Sequence, residues 1–128
     1  MIMKILVVDD ERDVKVLFEQ HFRREIRGGE LQFMFAYSGE EALRYLEEHN
    51  HEAVLILSDI NMPGMTGIQL LRKIKETYEA PSPHVIMVTA YGDQENYAHA
   101  INSGANGFLT KPVDFPALKE KLKSLASN

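Results

Sequence analysis

No cysteine occurs among the 128 residues, which excludes disulfides and thiolate metal sites and fits a reducing compartment. No apolar run approaches the roughly 20 residues that a membrane span requires. The apolar N-terminal stretch Met1 to Val8 is cut off by Asp9-Asp10-Glu11 and has no small-residue cleavage site, so a secretory signal is not expected and the cytoplasm is the simplest location. Basic charge is also short: 14 Lys and Arg stand against 19 Asp and Glu, a net charge of -5. Without a basic stripe to neutralise phosphates, direct nucleic-acid binding is not expected. There is no G-x-x-x-x-G-K-[ST] loop for nucleotide phosphates and no pair of histidines four residues apart for a helical metal site. Internal repeats and low-complexity tracts are absent too.

What remains is one domain's worth of chain, 45% apolar and 26% charged, spanning 1–128. Strand-like runs, short and rich in Val, Ile, Leu or Phe, recur five times: Met3 to Val8, Leu31 to Ala36, Val54 to Ser58, Val85 to Val88 and Gly107 to Thr110. Helical patterns fill the intervals. The first keeps Val14, Leu17, Phe18 and Phe22 on one stripe. The second opens with Ser38 and Glu41 in capping-box spacing and buries Ala42, Leu43 and Leu46. The third carries Ile68, Leu71 and Ile74 behind a Thr66 cap. A fourth runs from about Asp93 to Asn102 and stops at Gly104, and a fifth starts near Asp114 with Pro116 in its first turn. Alternation of this kind predicts a doubly wound α/β domain: a five-stranded parallel sheet with helices on both faces.

In open sheets of this class, ligands gather at the carboxyl ends of the strands. Those ends carry Asp9-Asp10 from the first strand, Asp59 from the third, Thr89-Ala90 from the fourth and Lys111-Pro112 from the fifth. An aspartate that ends an apolar run can simply start a turn, and Asp9-Asp10-Glu11 can simply open a helix; the company they keep argues otherwise. Three carboxylates and one lysine sum to -3 + 1 = -2, the charge a divalent cation neutralises. Hard carboxylate oxygens suit magnesium, which prefers a few carboxylates, retained waters and phosphate oxygens. Asp59 is the candidate nucleophile for a phosphoryl group, with Thr89 offering a hydroxyl and Lys111 a positive charge. The acyl phosphate formed would hydrolyse, giving a switch that resets itself.

The set Val8-Asp9-Asp10, Ser58-Asp59-Ile60-Asn61-Met62-Pro63-Gly64-Met65-Thr66-Gly67, Val88-Thr89-Ala90 and Phe108-Leu109-Thr110-Lys111-Pro112 resembles the receiver domain of two-component response regulators over essentially the whole chain. The resemblance implies the flavodoxin-like strand order 2-1-3-4-5. It implies that Asp59 is phosphorylated by a histidine kinase or histidine phosphotransfer protein, and that Asp10, Asp59 and the backbone carbonyl of Asn61 hold Mg2+ while Asp9 helps through water. It further implies that Lys111 contacts the phosphoryl oxygens, Thr89 swings to hydrogen-bond them, Phe108 turns inward into the vacated space, and Lys111-Pro112 is cis. Asn61 and Tyr91 stand where this family tunes dephosphorylation, and bulky Tyr91 is expected to shield the acyl phosphate. Such a protein acts by changing its affinity for a downstream target or a fused output domain, through the face of the fourth and fifth helices and the fifth strand. It is no enzyme beyond its own phosphorylation and dephosphorylation. Receivers often pair through that face, although no long exposed apolar stripe forces a homodimer here.

At the switch position many receivers carry Tyr, whereas Phe108 has no hydroxyl, so its readout is expected to rest on ring packing. The rival reading is a Mg2+-dependent phosphatase with an aspartyl nucleophile, similar to the haloacid dehalogenases. Against it, Asp59-Ile60-Asn61 lacks the second Asp of D-x-D, and no cap domain is evident to enclose a substrate. His49-Asn50-His51 is expected to be a solvated connection, Gly64 and Gly67 turn glycines, and the methionines core fillers, with Met62 and Met65 exposed on the rim loop.

Overall fold

A computed structural model describes residues 2–49, 55–78, 83–90 and 94–126. Five strands, β1 (Met3–Val8), β2 (Leu31–Ala36), β3 (Leu55–Asp59), β4 (His84–Thr89) and β5 (Gly107–Thr110), form one sheet in the order β2-β1-β3-β4-β5. Every pairing is parallel. The helices are α1 (Asp13–His21), α2 (Arg23–Arg27), α3 (Gly39–Glu48), α4 (Gly67–Thr77), α5 (Gln94–Asn102) and α6 (Phe115–Ala126).

The central strands β1, β3 and β4 are buried on both faces, and their side chains sort by the two-residue strand period. Leu6, Val8, Ile56, Val85 and Met87 pack with Ala42 and Leu46 of α3, Leu70, Leu71 and Ile74 of α4 and Ala100 of α5. Ile5, Val7, Leu55, Leu57 and Ile86 pack on the other face with Phe18 of α1, Phe22, and Leu118 and Leu122 of α6. Each such fully buried aliphatic side chain contributes about 1.5–3 kcal/mol, so the sheet is a rigid platform for whatever its ends carry.

The caps follow the sequence. Ser38 Oγ accepts from the Glu41 N–H at 3.1 Å, and Thr66 with Gln69 closes a reciprocal capping box at the start of α4. Asp114 Oδ1 accepts from the Ala117 N–H at 3.1 Å where α6 begins. Gly104 follows α5 at φ +100°, a conformation that favours glycine.

Three expectations are corrected. The first helical stripe is not one helix: α1 ends at His21, Phe22 takes φ -111° and ψ 19°, and the short α2 follows. The buried stripe runs through Val14, Phe18 and Phe22 at four-residue spacing, which turns Leu17 off it and leaves that side chain 47% exposed. Met62 is buried in the core, and Met65 packs against it across Gly39 instead of standing free on the rim. Val54, Asn50-His51, Pro81-Ser82, Tyr91 and Asp93 lie outside the described residues.

Candidate functional site

The parallel strands all deliver their carboxyl ends to one rim. Register pairs Val8 with Ser58 and Asp59 with Val88, so the residue after β1, Asp9, and the last residue of β3, Asp59, come level beside Thr89 at the end of β4. Lys111 is carried in from the neighbouring strand: its backbone N–H donates to the Thr89 carbonyl at 2.7 Å, and the following bond to Pro112 is cis, as expected. Its Nζ then lies 3.2 Å from Asp59 Oδ2 and 3.4 Å from Asp9 Oδ2.

Asp59 is only 7% exposed, and Asp9 is buried beside it with Oδ1 accepting from the Glu11 N–H at 3.0 Å. Asp10 is exposed at the mouth. One carboxylate oxygen from each of Asp9, Asp10 and Asp59 can be chosen so that all three lie within 4.8 Å of one another. Burial raises the pKa of Asp59; the Lys111 charge opposes that rise and the Asp9 charge adds to it. The Asn61 backbone N–H, turned toward the same carboxylate, also opposes it. Lys111 is pulled down by burial, yet the charges and hydrogen bonds of Asp59 and Asp9 outweigh this and its pKa is raised. The lysine therefore stays a cation beside an Asp59 carboxylate whose charged form burial disfavours.

A magnesium ion fits this donor set. Octahedral Mg2+ binds oxygens at about 2.0–2.1 Å, so donors already gathered within a few ångströms need only small adjustments, and water completes the shell. The formal charge of -2 on three carboxylates and one lysine is what a divalent ion would cancel.

The loop after Asp59 turns back hard. Ile60 N–H donates to Val88 O at 3.0 Å, and Gly67 N–H donates to Ile60 O at 2.8 Å. A Cβ on Gly67 would lie 2.1 Å from the Asp59 carbonyl oxygen, so its absence lets α4 start directly under the acceptor strand. Gly67 is thus a close-approach glycine and not a turn glycine; Gly64, at φ +74°, is the turn glycine of the loop.

Thr89 is 1% exposed and its Oγ1 has no hydrogen-bond partner among the described residues. It shares a sheet face with Phe108, because Met87 pairs with Phe108 and Thr89 with Thr110, one diagonal step along the same side. Phe108 is half-buried against the core and meets Tyr97 of α5 edge-on, ring centroids 4.7 Å apart at 78°.

The sequence matches the family model of the response regulator receiver domain over residues 5–123. The chain belongs to that family. Among its relatives, the chemotaxis protein CheY of Pseudomonas aeruginosa is 34% identical over 123 residues, covering 96% of this chain and 95% of the relative. The transcriptional regulatory protein SrrA of Staphylococcus aureus is 31% identical over 95% of this chain, which spans 47% of that longer protein. A CheY-like receiver domain protein of Methanospirillum hungatei JF-1 superposes with a TM-score of 0.79 at 34% identity, over 97% of this chain and 93% of that one. The chain is therefore a receiver domain of two-component systems with the receiver strand order, and no comparison supports a phosphatase.

Of the residues singled out from sequence, the structure brings Asp9, Asp10, Asp59, Thr89 and Lys111 to one rim, with Asn61 on its loop and Phe108 one strand away. Sequence reasoning missed Asn106, whose Oδ1 accepts from the Val85 N–H at 2.9 Å and from Lys75 Nζ at 3.0 Å, tying β4 and α4 to the turn before β5. It also missed Tyr97, since no periodicity announces a contact between α5 and β5. Among the described residues, no helix is long and apolar enough to cross a membrane.

Proposed function

We propose that Asp59 accepts a phosphoryl group from the phosphohistidine of a partner kinase or histidine phosphotransfer protein, and that the modified domain changes its affinity for a downstream target. An Asp59 carboxylate oxygen attacks phosphorus, the phosphorus–nitrogen bond breaks, and the electron pair leaves with the imidazole, which takes up a proton. Asp9, Asp10, Asp59 and the Asn61 backbone carbonyl would hold Mg2+, which would supply positive charge to the transferring group. Lys111, already within hydrogen-bonding reach of Asp59, moves onto the phosphoryl oxygens. The observation that carries this reading is the convergence of Asp9, Asp10, Asp59 and Lys111, from three strands, on one buried carboxylate.

A groove of about 570 Å³ lined by Val14, Leu17, Pro112, Val113 and Phe115 also borders Asp9 and Lys111, the two partners of this carboxylate. It gives a donor side chain a route in, and it gives exposed Leu17 a use. Thr89 and Phe108 form the switch: the unpartnered hydroxyl turns to the phosphoryl oxygens, and the ring moves inward along their common sheet face. Asn61 and Tyr91 set the lifetime of the acyl phosphate. The protein catalyses only its own phosphorylation and dephosphorylation. The likeness to SrrA, twice as long, fits a receiver that works with an output domain or a separate target in the cytoplasm.

Incubation with acetyl phosphate tests the reading. A Mg2+-dependent modification that hydroxylamine removes, as it removes acyl phosphates, supports it; steady hydrolysis of a small phosphate ester with no retained phosphoryl group overturns it.

A further inference from the structure

Tyr97 is 48% exposed on α5, yet its ring is not loose: it meets the Phe108 ring edge-on at a centroid distance of 4.7 Å. That is an arrangement favoured by the quadrupoles of the two rings. Phe108 is only half-buried and sits on the edge strand β5, with the Tyr97 ring of α5 against it. One diagonal step toward the sheet centre on the same face, the Thr89 hydroxyl is buried with no partner among the described residues.

We propose that Tyr97 is a brace that holds Phe108 in its outer position and so sets how much phosphorylation must overcome to flip the switch. The inference rests on the reading that Phe108 moves inward when Asp59 is phosphorylated. An inward move breaks the edge-on contact, so the contact exists in the unphosphorylated state alone. A contact made in one of two states biases the equilibrium by its own worth, and by linkage it opposes the ligand that favours the other state. A ring pair of this type shifts an equilibrium by roughly two- to tenfold. Once Phe108 leaves, the exposed Tyr97 no longer has the ring beside it, and the outer surface of α5 changes.

The test is the affinity for beryllofluoride, a phosphoryl mimic that binds an acceptor carboxylate with Mg2+, titrated into wild type, Tyr97→Ala, Tyr97→Leu and Tyr97→Phe and followed by amide NMR. The brace predicts two- to tenfold tighter binding by Tyr97→Ala and Tyr97→Leu and wild-type affinity for Tyr97→Phe, which keeps the ring. A merely structural role would weaken binding in step with lost stability. Unchanged or weaker binding by both Ala and Leu variants, or a Phe variant that behaves like Ala, overturns the brace while leaving the acceptor reading intact. No binding by wild type overturns both.

Discussion

The Lys111 ammonium lies 3.2 Å from Asp59 Oδ2 and 3.4 Å from Asp9 Oδ2, so one cation from beyond β5 is shared by carboxylates from β3 and β1. One positive charge does not satisfy two buried carboxylates, and Asp10 at the mouth adds a third. The rim is thus held short of cation, a state suited to taking up magnesium and a phosphoryl group.

The raised pKa of Asp59 has a consequence for stability. The folded protein holds that proton more tightly than the unfolded chain does, so the group favours folding at acid pH and this contribution is lost as pH rises through the folded pKa. At neutral pH the ionised Asp59 is a net cost. Asp59→Asn is expected to raise the melting temperature at pH 7, with an advantage that shrinks as the pH is lowered; a variant less stable than wild type at pH 7 contradicts this. Lys111, with its pKa also raised, acts in the same sense in a higher pH window, stabilising throughout the neutral range and losing its effect only in alkali. Lys111→Ala is therefore destabilising.

Thr89 carries a buried hydroxyl with no partner among the described residues, and an unpartnered group of this kind costs about 1–3 kcal/mol. Thr89→Val keeps the shape and removes the hydroxyl. Urea denaturation should show a gain of about 1 kcal/mol, while phosphorylation-dependent binding of a target is lost. A loss of stability would mean that the hydroxyl is satisfied.

Gly67→Ala puts a methyl group against the Asp59 carbonyl oxygen, where no flexible side chain can give way. The expected cost is about 3 kcal/mol, the upper end for forced overpacking, with slower phosphorylation because the acceptor strand is pushed aside. Wild-type stability in this variant would show that α4 can start elsewhere.

Phe108→Tyr should be tolerated, since the ring that packs on Tyr97 and the core is retained and the position already works without a hydroxyl. Loss of phosphorylation-dependent partner binding in this variant would count against a readout by ring packing.

The strands and the rim were legible in the sequence because every apolar run but the second ends at or just before a polar residue, and parallel strands put all those ends together. Asp9, Asp59, Thr89 and Lys111 followed from that rule alone. Local signals sufficed for the Thr66 cap as well. What escaped depends on tertiary contact. Nothing local marks the break at Phe22, where no Gly or Pro intervenes, and a stripe of 3.6-residue period does not tell Leu17 from Phe18. Gly67 looked like its neighbour Gly64, though one is required by a carbonyl pressed against it and the other by a positive φ. Met62 reads as a loop residue until the loop folds onto the core. Asn106 and Tyr97 owe their roles to elements that meet only in the folded chain.

The most direct test of phosphoryl transfer to Asp59 is the intact mass of wild type and Asp59→Asn after acetyl phosphate, each with and without Mg2+. One added phosphoryl group on wild type, dependent on Mg2+ and missing from the variant, is the predicted result. An equal adduct on Asp59→Asn, or none on wild type in the presence of Mg2+, contradicts it.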